Sequence, residues 1–229
     1  MSEVTKAYGF VYALKKVDLE ISEGETIGIL GNNGAGKSTL LKIISLLVKP
    51  TSGKVELFGT EVKEDRYLYK KEIGTLLSHS FFYDDMTGRE NLEFYLKMSG
   101  RTDSPVNTVA KAIKEYKLRL YIDRPVNELS TGMTKKLELL RAVLPSHPKL
   151  LLLDEPFSGL DVENKQFLGQ LITDRPSKAT VIICSHDFEA IARVCNKVFF
   201  LEKGEITRIL TPPEYNFFLE RIDKKERHV

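Results

Sequence analysis

Cysteine is scarce in this chain. Cys184 and Cys195 are the only two in 229 residues, too few for a disulfide framework, which points to a reducing compartment. Long apolar runs are missing too. Runs such as the four leucines between Lys149 and Asp154 fall far short of the roughly 20 residues that span a bilayer. Met1 to Gly9 is mostly polar, so no secretory leader is expected. Neither sign of charge dominates: 34 basic against 32 acidic residues leave a formal net charge of +2. That balance excludes a broad nucleic-acid footprint and predicts no nucleic-acid partner. There is no internal repeat and no low-complexity linker. With 42% hydrophobic and 29% charged residues, the composition excludes disorder, collagen and coiled coil, and it reads as a soluble intracellular protein. The length suits one large or two small domains with a substantial core.

What is present is an alternation of strand and helix signals. Val17, Leu19 and Ile21 alternate with polar residues, the period of a half-buried strand. Thr26 to Leu30 is a short β-rich run, Lys37 to Val48 has helical spacing, and Lys54 to Phe58 and Ile73 to Leu77 read as strands. From about residue 85 the pattern turns helical. Thr87-Gly88-Arg89-Glu90 matches a capping box ahead of Asn91 to Ser99, and helices are expected near Val106–Leu118 and Thr131–Leu144. Strands return at Leu150–Leu153, Thr180–Cys184 and Val198–Leu201, with a helix over Val162–Thr173. Lys203-Gly204-Glu205 is a hairpin turn, and Thr211-Pro212-Pro213-Glu214 predicts the start of a terminal helix. The whole reads as an α/β core with a helical insertion around residues 85–145.

Gly31-Asn32-Asn33-Gly34-Ala35-Gly36-Lys37-Ser38, followed by Thr39, fits G-x-x-x-x-G-K-[ST] between a strand and a helix. Glycines let the backbone curl so that consecutive N–H groups face phosphate oxygens, and the helix N-terminus adds positive potential. Lys37 is expected to reach the β- and γ-phosphates and to face solvent. The Ser38 hydroxyl is expected to ligate Mg²⁺. Farther on, an apolar strand delivers Asp154 and Glu155 to its C-terminal end, where α/β sheets place ligand-binding groups. Asp154 suits Mg²⁺, and Glu155 suits the acceptance of a proton from attacking water. An Asp-Glu pair alone is commonly just a solvated strand end; the preceding phosphate loop favours the catalytic reading.

Leu129-Ser130-Thr131-Gly132-Met133, Ser158-Gly159-Leu160-Asp161 and Cys184-Ser185-His186-Asp187 complete an ordered set. Taken together with the phosphate loop, the set resembles the ATP-binding cassette (ABC) ATPases from about Val4 to Leu210. The resemblance implies one cassette domain over residues 1–229, with a P-loop NTPase (RecA-like) α/β core. The catalytic α/β core, with an N-terminal antiparallel β subdomain, is implied over about 1–84 and 146–210, with a helical signature subdomain at about 85–145 and a C-terminal helix at 211–229. It also implies ATP and Mg²⁺ as cofactors and a second copy of the chain sandwiching two ATP molecules. Ser130, Thr131, Gly132 and Met133 would meet the partner's ATP, Asp161 would lie on the loop linking the two sites, and His186 would contact the γ-phosphate beside Glu155. Tyr8 matches the adenine-stacking aromatic, with Tyr12 a competitor. Taken alone, His186 reads as a surface histidine and Ser130 as a simple helix cap.

Two departures stand out. The family usually carries a glutamine after the strand at Ile73–Leu77, where this chain has Ser78-His79-Ser80; its only glutamines are Gln166 and Gln170. The signature reads Ser-Thr-Gly-Met followed by Lys135-Lys136, similar to the exporter branch. The resemblance therefore implies an ATPase driving an exporter through separate membrane subunits, on the cytoplasmic face of the cell membrane. A soluble ABC ATPase and a weakly hydrolysing regulatory cassette are the rivals. The aromatic run Phe81-Phe82-Tyr83 is read either as a docking patch or as core. Since water is a serviceable oxygen ligand for Mg²⁺, Ser80→Gln should change the basal ATPase rate by less than about tenfold, roughly 1.4 kcal/mol of barrier. A hundredfold gain in a steady-state assay would show the substitution to be crippling.

Overall fold

A computed structural model describes residues 1–62, 66–77, 81–100, 104–144, 148–173, 179–212 and 214–215. Strands β1 (Ser2–Tyr8) and β2 (Val11–Val17) form a hairpin, followed by β3 (Thr26–Leu30) and α1 (Lys37–Ile44). Short strands β4 (Ser52–Lys54), β5 (Glu56–Leu57) and β6 (Thr60–Glu61) lead to α2 (Tyr67–Lys70) and β7 (Ile73–Leu76). Next come α3 (Gly88–Ser99), α4 (Pro105–Glu115), a 3₁₀ turn at Val126–Glu128 and α5 (Thr131–Val143). The chain then runs β8 (Leu150–Asp154), α6 (Val162–Thr173), β9 (Thr180–Ser185), α7 (Phe188–Ala192), β10 (Lys197–Glu202) and β11 (Glu205–Leu210).

The central sheet has the order β11-β10-β3-β9-β8-β7, parallel except for β11. A second, antiparallel sheet has the order β2-β1-β4. The central strands read as continuous apolar runs because both faces are covered. Leu151, Leu153, Val181 and Ile183 pack with the helices α3–α6 on one side. Leu150, Leu152, Ile182 and Cys184 pack with α1 and the β1–β2 hairpin on the other. The period of two sorts neighbouring leucines into opposite cores.

Local signals mostly place these elements. The Thr87 capping box forms, with the Glu90 N–H donating to Thr87 Oγ1 at 3.2 Å and the Thr87 N–H to Glu90 Oε2 at 2.8 Å. Helix α1 stops four residues short of the expected Val48. Leu46 takes φ +62°, and the N–H groups of Leu47 and Val48 both turn back to Lys42 O, a left-handed C-terminal closure. The alternation after Val17 does not make a strand. Leu19 is buried, but 18–22 joins no ladder, and Asp18 Oδ1 accepts the Glu3 N–H instead. Of the helix expected over 211–229, Thr211 is not helical, Pro212, Glu214 and Tyr215 are, and 213 and 216–229 lie outside the described residues. No helix among the described residues is long and apolar enough to cross a membrane.

Candidate functional site

Three adjacent parallel strands bring the site together. In register, Leu30 of β3 lies beside Ser185 of β9, and Cys184 beside Asp154 of β8. The residues following each strand therefore emerge side by side at the C-terminal edge: Gly31, His186 and Glu155. The Gly31 N–H donates to Ser185 O at 3.3 Å, and the Glu155 N–H to Cys184 O at 2.8 Å.

The loop from Gly31 to Gly36 needs its glycines for space as well as for turning. A Cβ at Gly31 would lie 2.3 Å from Leu201 O, and one at Gly36, with φ +111°, 2.4 Å from Ala13 O. Helix α1 opens with no side-chain cap, and its first bond runs from the Leu40 N–H to Gly36 O. The N–H groups of Lys37, Ser38 and Thr39 are thus left without an intrahelical acceptor. Asn32, Asn33 and Gly34 are exposed in the same loop. This is a concave array of donors at a helix N-terminus, suited to phosphate oxygens.

Lys37 corrects the sequence reading. It is 7% exposed, not solvent-facing. Its ammonium folds back over the loop, donating to Gly31 O at 2.6 Å and lying 3.4 Å from Glu155 Oε1. A cation among carbonyl oxygens and a carboxylate is better satisfied there than by extending away, and it already spans the two motifs.

Glu155 is the centre of the arrangement. Its Oε2 accepts from Ser185 Oγ at 2.9 Å and lies 3.0 Å from His186 Nδ1. Burial opposes its charge, but the hydrogen bonds from His186 and Ser185 and the charges of His186 and Lys37 hold the carboxyl below its ordinary range. Its backbone is left-handed, φ +47°, which costs an L-residue about 1–2 kcal/mol. Such strain persists where the surroundings over-determine it. Asp154, one residue earlier, is 4% exposed, and its Oδ2 is buried without a hydrogen-bond partner. An orphaned carboxylate oxygen at this strand end fits a cation ligand. Among the described residues there is no cluster of three or more acidic, histidine or cysteine ligands.

Ser185 was not legible as a partner of Glu155, since spacing does not reveal which hydroxyl faces across a sheet edge. Cys184 beside it is buried, and burial with the Asp154 and Glu155 charges pushes its thiol well up. Cys195 is buried as well.

The signature residues sit apart. Ser130 caps α5, its Oγ accepting the Met133 N–H at 3.3 Å, and Ser130 and Thr131 are exposed. Among the described residues no hydrogen bond joins 130–133 to 31–39. A Cβ at Gly132 would lie 2.9 Å from Asn164 Nδ2, and Asp161 holds that same Asn164 through its N–H at 2.8 Å and its amide at 3.1 Å. Tyr8 and Tyr12 are both about half exposed. The pairs Tyr8–Val11 and Ala7–Tyr12 put them on opposite faces of the hairpin, so only one can stack on a given base. In the aromatic run, Phe82 is core at 7% exposed while Phe81 and Tyr83 point outward. Ser78, His79 and Ser80 lie outside the described residues.

Residues 14–158 match the family model described as ABC transporter. A Nod factor export ATP-binding protein I of Rhizobium etli is 33% identical, covering 89% of this chain and 65% of that protein. A sulfate/thiosulfate import ATP-binding protein CysA of Thermosynechococcus vestitus is also 33% identical, over 93% of this chain and 64% of that one. The chain thus spans just under two thirds of these relatives' length. A dimeric post-hydrolysis structure of the ATP-binding cassette MJ0796, bound to ADP and Pi, superposes with a TM-score of 0.82 at 29% identity, covering 92% of this chain and 97% of that one.

Proposed function

This chain belongs to the ABC transporter family, and from that premise we propose that it acts as a homodimer on Mg-ATP to energise an exporter through separate membrane subunits. It is an ATP-binding cassette and an ATPase. The observation that carries the reading is the Glu155 carboxylate, held by Ser185 and His186 and facing Lys37.

In this reading the N–H groups of 33–39 and the Lys37 ammonium hold the phosphates, and Tyr8 stacks on the adenine. Ser38 and Asp154 hold Mg²⁺, which neutralises charge on the phosphate oxygens when bound. Water attacks the γ-phosphorus, the bond from that phosphorus to the bridging β-oxygen breaks, and the water proton passes to Glu155, giving ADP and phosphate. His186 orients both the carboxylate and the water. Most of the catalysis is positioning and charge stabilisation, as phosphoryl transfer requires. Ser130, Thr131, Gly132 and Met133 serve the partner copy's ATP, because Ser130 and Thr131 are exposed and none of the four makes a hydrogen bond to its own phosphate loop. Asp161 links the two sites through Asn164.

Relatives named for export and for import match at the same 33% identity, so export rests on the signature Ser130-Thr131-Gly132-Met133 with Lys135-Lys136. In this reading the outward Phe81 and Tyr83 are the docking surface for the membrane subunits, and the cassette works on their cytoplasmic side. The test combines steady-state turnover with co-purification of a tagged chain from detergent extract. Turnover that changes when a co-purified multi-span protein is added supports the reading. An inactive purified chain would move it to a regulatory cassette, and activity with no membrane partner would move it to a soluble ATPase.

A further inference from the structure

In the sequence Lys135 is the first of the two adjacent lysines that follow the signature, read there only for its likeness to the exporter branch. The structure gives it a different setting. From the second turn of α5 its ammonium donates to two main-chain oxygens, Glu155 O at 2.7 Å and Ser158 O at 2.8 Å. Burial pushes its pKa down, and the charges of Glu138, Glu155 and Asp154 oppose that fall. A lysine that gives up hydration for two carbonyls, with its charge opposed by burial, is placed for those carbonyls.

The carbonyls are those on either side of Pro156-Phe157, and the first belongs to the residue with φ +47°. The Glu155 backbone is held from three sides: its N–H by Cys184 O, and its oxygen by the Ser158 N–H at 3.3 Å and by Lys135. The first two bonds are made by β9 and by the turn that follows β8. The third is made by the helix whose first residues are the signature loop. A left-handed residue aims its side chain differently from a continued strand, so whatever holds that peptide also aims the carboxylate at Ser185 and His186.

We infer that Lys135 is a positioning residue for hydrolysis, tying the signature helix to the backbone of Glu155 so that the carboxylate is aimed only while α5 is seated. This deepens the assignment of Glu155 as proton acceptor and rests on it.

The test uses the purified full chain carrying Lys135→Met, which keeps the aliphatic stem, and Lys135→Arg, whose guanidinium can still bond two carbonyls. Turnover and affinity for a fluorescent ATP analogue are measured for each. Misaiming the base should lower kcat by about tenfold or more in Lys135→Met, with nucleotide affinity within about twofold; Lys135→Arg should recover most of the rate. In the Glu155→Gln background Lys135→Met should lower the residual rate no further, since coupled residues are non-additive. A Lys135→Met rate within twofold of the unmodified chain overturns the inference, and so does an equal further loss in the Glu155→Gln background. Near-normal turnover by Glu155→Gln alone would instead remove the assignment of Glu155 and this inference with it.

Discussion

Glu155→Gln is expected to stop turnover while leaving ATP bound. The amide keeps the size and reach of the carboxylate and can still meet Ser185 and His186, but it cannot accept the water proton. General-base assistance worth about 10²–10⁴-fold in rate should vanish. ATP then persists between two chains, so a dimer should appear in size-exclusion chromatography with Mg-ATP and be absent with ADP. Hydrolysis at near the normal rate would mean that another group takes the proton. The pH profile is a second check. Because the carboxyl is held below its ordinary 4.5, the base form persists in mild acid, and turnover should not lose it until the pH falls through that lowered value.

Lys37→Ala is expected to abolish both nucleotide binding and turnover, with no measurable ATP affinity by calorimetry. The cation facing the β- and γ-phosphates is lost, and tight ATP binding by the variant would sink the phosphate-loop assignment. The buried position adds a second consequence. Glu155 Oε1 is buried with no hydrogen bond, and Lys37 lies 3.4 Å from it, so removing the cation leaves that oxygen uncompensated. A buried polar atom stripped of its partner costs about 1–3 kcal/mol, so the melting temperature should fall by several degrees. The sign with pH follows from the lowered Glu155 pKa. Its contribution to stability is full above the unfolded value and is lost as pH falls through the folded value. Without Lys37 that pKa rises, so the variant should lose less stability between neutral pH and pH 3 than the unmodified chain. A variant whose acid sensitivity equals that of the unmodified chain would show that the pair does not shape the carboxyl.

Much of the site is legible in the sequence because phosphate binding is a local device. Gly31 to Thr39 carries its own turn, its donors and its helix start within nine consecutive residues, and the Leu150–Leu153 run announces its buried strand and the acids that end it. Capping chemistry at Thr87 and helical spacing at Val162–Thr173 are likewise short-range, and the helix forms over those same residues. Where sequence patterns mislead, the deciding partner lies far away in the chain. The hydrophobic alternation past Val17 records burial, which a coil against a core satisfies as well as a strand does. Tyr8 and Tyr12 have the same chemistry, and only the hairpin register separates their faces.

Sequence alone determined the chemistry this protein has available, because residue types at short fixed spacing define a phosphate cradle and an acidic strand end. Tertiary structure decided how those groups are tuned. Side-by-side registry of β3, β9 and β8 sets Ser185 and His186 on Glu155 across 30 and 31 residues of chain. The fold likewise turns Lys37 inward and brings Lys135 to a carbonyl 20 residues away. The physical reason is range: a cap or a glycine turn is settled by neighbours along the chain, whereas the field around a buried carboxylate is set by whichever strands the sheet order makes adjacent.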